Sequence, residues 1–153
     1  MDEVLQTADE PRDGNEHFGR LIKEADEAFS REMNSRMRHE QVTMSQSTVL
    51  YELAHAPGMT LSLKELEARM HAAQSTVWGV VSRLERAGLV TSYVDPDDAR
   101  ARLVRLTEAG YSKYEVCSSV IIDMEDLVAS AMTPEEHDEL VELLERVIDL
   151  LRD

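Results

Sequence analysis

One stretch of 36 residues, from Ser75 to Gly110, constrains the fold more than any other part of this chain. Val77, Val80, Val81 and Leu84 recur at i, i+3, i+4 and i+7, the spacing of a helix with one buried stripe, and Gly88 stops it. The opposite side carries Gln74, Ser75, Thr76, Trp78, Gly79, Ser82 and Arg86, with Arg83 close by. Short polar side chains around a single indole let a backbone settle deep in a groove. Upstream, Ser62-Leu63-Lys64-Glu65 is a capping box for a helix whose apolar face is Leu63, Leu66 and Met70. Only a few residues then separate Met70 from Gln74, the short joint that a helix-turn-helix requires.

Downstream, Leu89 to Val94 is rich in β-branched and aromatic residues, Asp95-Pro96-Asp97-Asp98 is turn chemistry, and Arg102 to Leu106 alternates at period two. The spacing predicts a hairpin whose tip and return strand carry Arg100, Arg102 and Arg105. A helix with such a ribbon beside it puts one element in a DNA major groove and the other in the adjoining minor groove. An extended arginine has the length and charge for the negative minor groove of A/T-rich DNA. Asp98 is expected to orient the Arg100 guanidinium through a bidentate pair. Lys64 and Arg86 are more generic phosphate partners.

These residues carry a resemblance. The segment Asp95 to Gly110, D-P-D-D-A-R-A-R-L-V-R-L-T-E-A-G, is similar to the wing of the MarR family of bacterial transcription regulators, with its Asp-x-Arg tip, apolar strand and Leu-Thr-x-x-Gly opening the next helix. The helix from Ser75 through Leu84-Glu85-Arg86-Ala87-Gly88-Leu89-Val90 fits in register, and the likeness covers residues 16–152. Two departures stand out: Trp78 and Gly79 occupy positions where many relatives have a small polar residue followed by Arg, and Ala73 replaces the usual capping Ser. The resemblance therefore implies where DNA sits but not which bases are read. It also implies a triangular dimer with interlocked terminal helices and a small aromatic or phenolic effector.

The formal net charge of −15 argues against a DNA partner, because phosphate contacts supply much of the affinity of such proteins. Its distribution answers the objection in part. Residues 1–58 hold 12 acids and 6 bases and residues 111–153 hold 12 and 3, whereas residues 59–110 hold 7 and 7. The acidic excess lies in the arms, where screening damps it beyond roughly 8–10 Å. At 153 residues the chain suits one compact domain. No apolar run reaches membrane-spanning length and no secretory leader opens the sequence, so a soluble cytoplasmic protein is expected. The lone Cys117 lies on an apolar helical face, the setting of a packing thiol.

The expected fold class is mainly α with a small β-hairpin wing: a winged helix-turn-helix with N- and C-terminal dimerisation helices. Residues 1–15 read as a disordered acidic tail, 16–42 as the N-terminal dimerisation helix, 43–106 as the DNA-binding region and 107–153 as the C-terminal dimerisation helices. Thr43 or Ser45 caps the second helix, Thr107 the long helix after the wing, and Thr133-Pro134-Glu135-Glu136 the last one. That final helix holds too many apolar groups for a terminal helix lying alone on a small domain. Leu140, Leu144, Val147, Ile148 and Leu151, together with Phe18, Leu21 and Ile22 of the first helix, are expected to meet a second copy across a two-fold axis.

Met33, Met37, His39, Met44 and Tyr51 form a candidate effector pocket, although core packing explains the methionines more simply. The five histidines, His17, His39, His55, His71 and His137, have no ligand spacing, so no metal and no cofactor are expected. No nucleophile–base pairing or phosphate-cradling glycine loop points to an enzyme. The functional expectation is a dimeric, ligand-responsive repressor that reads an inverted repeat with residues 74–87 in the major groove and residues 95–102 in the minor groove. The rival is an acidic winged-helix module that binds proteins and not DNA.

Overall fold

The computed structural model describes residues 18–152. The expected acidic tail at 1–15, the first residues of the N-terminal helix and His17 lie outside the described residues. The chain divides within its first helix into two compact units, Met1–Glu32 and Met33–Asp153.

Helix α1 spans Phe18–His39. Its part in the first unit is held by i,i+4 ion pairs, Arg20 to Glu24 at 2.8 Å and Lys23 to Glu27 at 3.7 Å, and it leaves Phe18, Leu21 and Ile22 exposed.

In the second unit α2 is Met44–Ala54, α3 Leu63–Met70, α4 Gln74–Arg86, α5 Glu108–Ala129 and α6 Pro134–Arg152. Strands β1 (Thr60–Ser62), β2 (Val90–Val94) and β3 (Arg102–Leu106) form one antiparallel sheet in the order β1-β3-β2. The hairpin expected from the sequence is β2 and β3, with Ser92 opposite Val104 and Val94 opposite Arg102. The third strand was not expected. It is three residues long and its last residue, Ser62, is also the N-cap of α3, so the capping signal occupies the place where a strand signal would be sought.

Thr43, rather than Ser45, caps α2: its hydroxyl accepts from Gln46 N–H at 3.2 Å while the Gln46 side chain accepts from Thr43 N–H at 2.8 Å. The same reciprocal pattern starts α3 at Ser62 and Glu65. The backbone N–H and the hydroxyl of Ser62 hold the Glu65 carboxyl below its ordinary range. The cap therefore contributes fully above the ordinary carboxylate pKa and is lost as pH falls through the depressed one.

The core is built where α2, α3, α4 and the sheet converge. Val49, Leu50 and Leu53 of α2, Leu66 of α3, the α4 stripe of Val77, Val80, Val81 and Leu84, and Val90, Val104 and Leu106 of the sheet are all buried. Each such side chain contributes about 1.5–3 kcal/mol. Met37 is fully enclosed, at 0% exposure. Cys117 is buried too, and burial pushes its thiol pKa up against the opposing Ser47 hydrogen bond. It is a packing residue, inert as a thiolate at neutral pH.

The start of α5 is clamped onto the turn that follows α4. Thr107 N–H donates to the Leu89 carbonyl at 3.1 Å and its hydroxyl donates to the Gly88 carbonyl at 2.8 Å. Gly110 completes the joint, because a Cβ there would run into the Leu89 carbonyl. That is the physical reason for glycine in the Leu-Thr-x-x-Gly sequence.

Candidate nucleic-acid interface

With its valine and leucine stripe in the core, α4 turns its other side outward. Gln74, Ser75, Thr76, Trp78, Arg83 and Arg86 are exposed, and Gly79 and Ser82 are half-buried. Ala73 is the N-cap residue and provides no side-chain hydrogen bond to the helix. Arg86 folds back, donating from Nε to the Ser82 carbonyl at 3.4 Å.

The wing tip is closed by local hydrogen bonds. Asp95 N–H donates to the Ala101 carbonyl at 2.9 Å, and the Asp95 carboxylate accepts from Asp97 N–H at 2.9 Å. Asp98 behaves differently from the expectation of a guanidinium pair. Its carboxylate accepts from the backbone N–H of Arg100 at 3.0 Å, a local turn that offers the shortest path for a short acid. Asp98 thus fixes the direction in which Arg100 leaves the loop, and the Arg100 guanidinium has no hydrogen bond or ion pair among the described residues. A cleft of about 410 Å³ lies beside it, lined among others by Ser62, Lys64, Glu67, Gln74 and Arg102. The wing tip, the start of α3 and the start of α4 therefore share one surface.

Arg102 differs from Arg100. Strand alternation puts it on the same sheet side as Val104 and Leu106, which are buried, and its guanidinium lies 5.0 Å from the centre of the Trp78 ring. It also donates from Nε and Nη2 to the Ser92 hydroxyl at 3.3 and 3.2 Å. Ser92 in turn donates from its backbone N–H and its hydroxyl to Glu85, at 2.7 and 3.0 Å. Sequence reasoning missed Glu85 and Ser92. The signal available was a polar residue at a core-facing position of β2, between Val90 and Val94, which calls for a partner.

Gly79 sits mid-helix with no neighbouring element pressed against it: a Cβ added there would meet only the Arg83 guanidinium, at 3.9 Å. Helix packing therefore does not explain the glycine. Gly79→Ala is expected to stabilise the free protein by about 0.5–1 kcal/mol while weakening DNA binding, as read by denaturant unfolding and fluorescence anisotropy. Affinity that stays level or rises would show that nothing needs the space.

The five candidate effector residues differ in burial. Met33 and Met37 are sealed in the core because they fall on its side of α1. Met44 is half-buried, and Tyr51 is exposed with its ring 4.2 Å from that of His55. His39 lines a depression of about 210 Å³ with Arg36, Glu40, Val120 and Asp123, which includes none of the other four. An aromatic group that the sequence did not signal, Tyr51, His55, Tyr111 and Tyr114, spans α2 and α5 with ring centres 4.2–6.4 Å apart. Among the described residues no cluster of His, Cys, Asp and Glu could hold a metal ion, and no helix is long and apolar enough to cross a membrane.

The model of the MarR family matches residues 40–101, from the end of α1 through the wing tip. Over a wider span the chain is similar to the crystal structure of the PcaV transcriptional regulator from Streptomyces coelicolor, at 31% identity and a TM-score of 0.78, covering 89% of this chain and 98% of that one. The chain belongs to the MarR family. Among its relatives is the HTH-type transcriptional repressor NicR of Pseudomonas putida, 28% identical over 140 residues, which are 91% of this chain and 87% of NicR. The homoprotocatechuate degradative operon repressor of Escherichia coli is 26% identical over 114 residues, 74% of this chain and 76% of that repressor. This MarR-family chain is a DNA-binding transcriptional regulator and not an enzyme, and the winged-helix fold expected from the sequence is the one observed. The reading as an acidic protein-interaction module is not favoured.

Proposed function

We propose that the protein is a homodimeric, cytoplasmic repressor that reads an inverted repeat, with α4 in the major groove and the Arg100 wing in the adjoining minor groove, and that releases DNA on binding a small aromatic effector. The observation that carries the groove assignment is the uncovered polar side of α4, whose first residue, Gln74, lines the same cleft as Arg100, an arginine whose guanidinium has no hydrogen bond or ion pair among the described residues. Gln74, Ser75, Thr76, Ser82 and Arg83 contact base edges or phosphates, Lys64 and Arg86 contact phosphates, and Trp78 lies along the same groove. The second copy is called for by α6, which has no fully buried side chain within one chain. Repression and an aromatic effector are supported by the relatives, one of which represses a homoprotocatechuate degradative operon. The effector acts by binding the free dimer more tightly than the DNA-bound one.

Selection of bound duplexes from a random pool tests this. The expected motif is an inverted repeat with half-sites about 34 Å apart, one helical turn, and affinity for it is expected to fall steeply with salt. A recovered motif without two-fold symmetry would rule out the paired reading, and no binding even at low salt would rule out the groove assignment.

A further inference from the structure

We infer that Arg102 is a positioning residue, and that the chain Glu85–Ser92–Arg102–Trp78 is a clip that locks the wing to the recognition helix α4. This rests on the groove reading above and deepens it. The arginine most like Arg100 by sequence is thereby assigned a different task.

The clip follows from the topology. Strand β2 is an edge strand, and the N–H of Ser92, which is directed at Glu85, has no further strand on that side to pair with. Glu85, near the end of α4, reaches over and takes both that N–H and the Ser92 hydroxyl proton. With its proton directed at a carboxylate, the hydroxyl oxygen is left as an acceptor, and the two Arg102 donors converge on it. The guanidinium carbon then lies over the Trp78 ring, which keeps 38% of its surface exposed. Thus β3 is tied to α4 near the helix start through Trp78 and near the helix end through Glu85. Helix and wing meet DNA as one body, so the orientation of Arg100 relative to α4 is set before binding. Preorganisation of this kind raises affinity by lowering the ordering cost.

The clip is separable from a direct contact, because charge counting and geometry predict opposite results at Glu85. Arg102→Lys keeps the cation but loses the guanidinium over the ring and the paired donors; Glu85→Ala removes an acid, which by charge alone would strengthen DNA binding. The clip predicts that both lower affinity for the selected duplex, roughly five- to tenfold, at a slope of affinity against salt like that of the parent protein. Trp78 is the chain's only tryptophan, so its emission in the free protein reports the contact directly and is expected to change in Arg102→Lys. Ser92→Ala is expected to act in the same direction and to be non-additive with Arg102→Lys.

Arg102→Lys with parental affinity and emission, or Glu85→Ala with raised affinity, would overturn the clip. So would Arg102→Gln lowering the salt slope by about one, the mark of a lost phosphate contact. Circular dichroism and melting on every variant separate loss of fold from loss of position. Arg100→Ala is the control for the groove reading: if it alone keeps full affinity, that reading fails, and the Trp78 emission still decides the clip.

Discussion

Replacing Leu144 and Ile148 of α6 by aspartate is expected to give a folded monomer that no longer holds its operator. Among the exposed apolar groups of this helix are Leu140, at 40%, and Leu151, at 78%, and no α6 side chain is fully buried within the chain. Neither Leu144 nor Ile148 is part of the buried core of the winged unit. Leu144 is 39% and Ile148 46% exposed within one chain, and in a two-fold interface each counts twice, so losing the pair weakens the dimer by roughly 2.5–5 kcal/mol, about two decades or more in dissociation constant. An unpaired carboxylate in its place adds to that cost. Analytical ultracentrifugation and anisotropy read the two consequences separately. A double variant that stays dimeric would move the interface away from α6. A monomer with undiminished affinity would mean that one copy reads the site alone.

Arg100→Ala is expected to cost about 1–3 kcal/mol for each wing contact, and twice that for a dimer that uses both wings. The size reflects how little else Arg100 does. Its guanidinium has no partner among the described residues, and its backbone is already held by Asp98. Stability of the free protein should not change, because no packing is lost. Arg100→Lys should restore part of the affinity, since the charge returns without the planar fork that a narrow groove accommodates. Operator affinity that is indifferent to the alanine variant would remove the wing from the interface.

Much of this fold was legible in the sequence because its signals are local. The period-3.6 stripe of α4, the caps at Ser62, Thr107 and Thr133, and the Asp-Pro turn each depend on residues a few positions apart, and each element appears within a residue or two of where those signals place it. What was missed depends on pairing between distant segments. Strand β1 exists because Leu61 aligns with Val104, 43 positions along the chain. The link from Glu85 to Trp78 needs the twist of β2 over α4, which no spacing rule supplies. Arg100 and Arg102 look equivalent two residues apart, yet the first leaves a loop and the second begins a strand. For the same reason Asp98 was expected to meet a side chain and meets a backbone amide. The methionines of α1 were ambiguous between wall and core, and both Met33 and Met37 are buried.

The clamp of Thr107 and Gly110 on Leu89 has a mechanical consequence. A hinge normally absorbs rotation between the elements it joins, but here the first turn of α5 is bonded to the peptide that ends α4, with no room for slack. Tilting α5 at its far end would therefore act as a long lever on the trailing end of the recognition helix. Small displacements of that shaft would change the separation of the two reading heads in a dimer, and a regulator of this build would respond to forces applied well away from DNA.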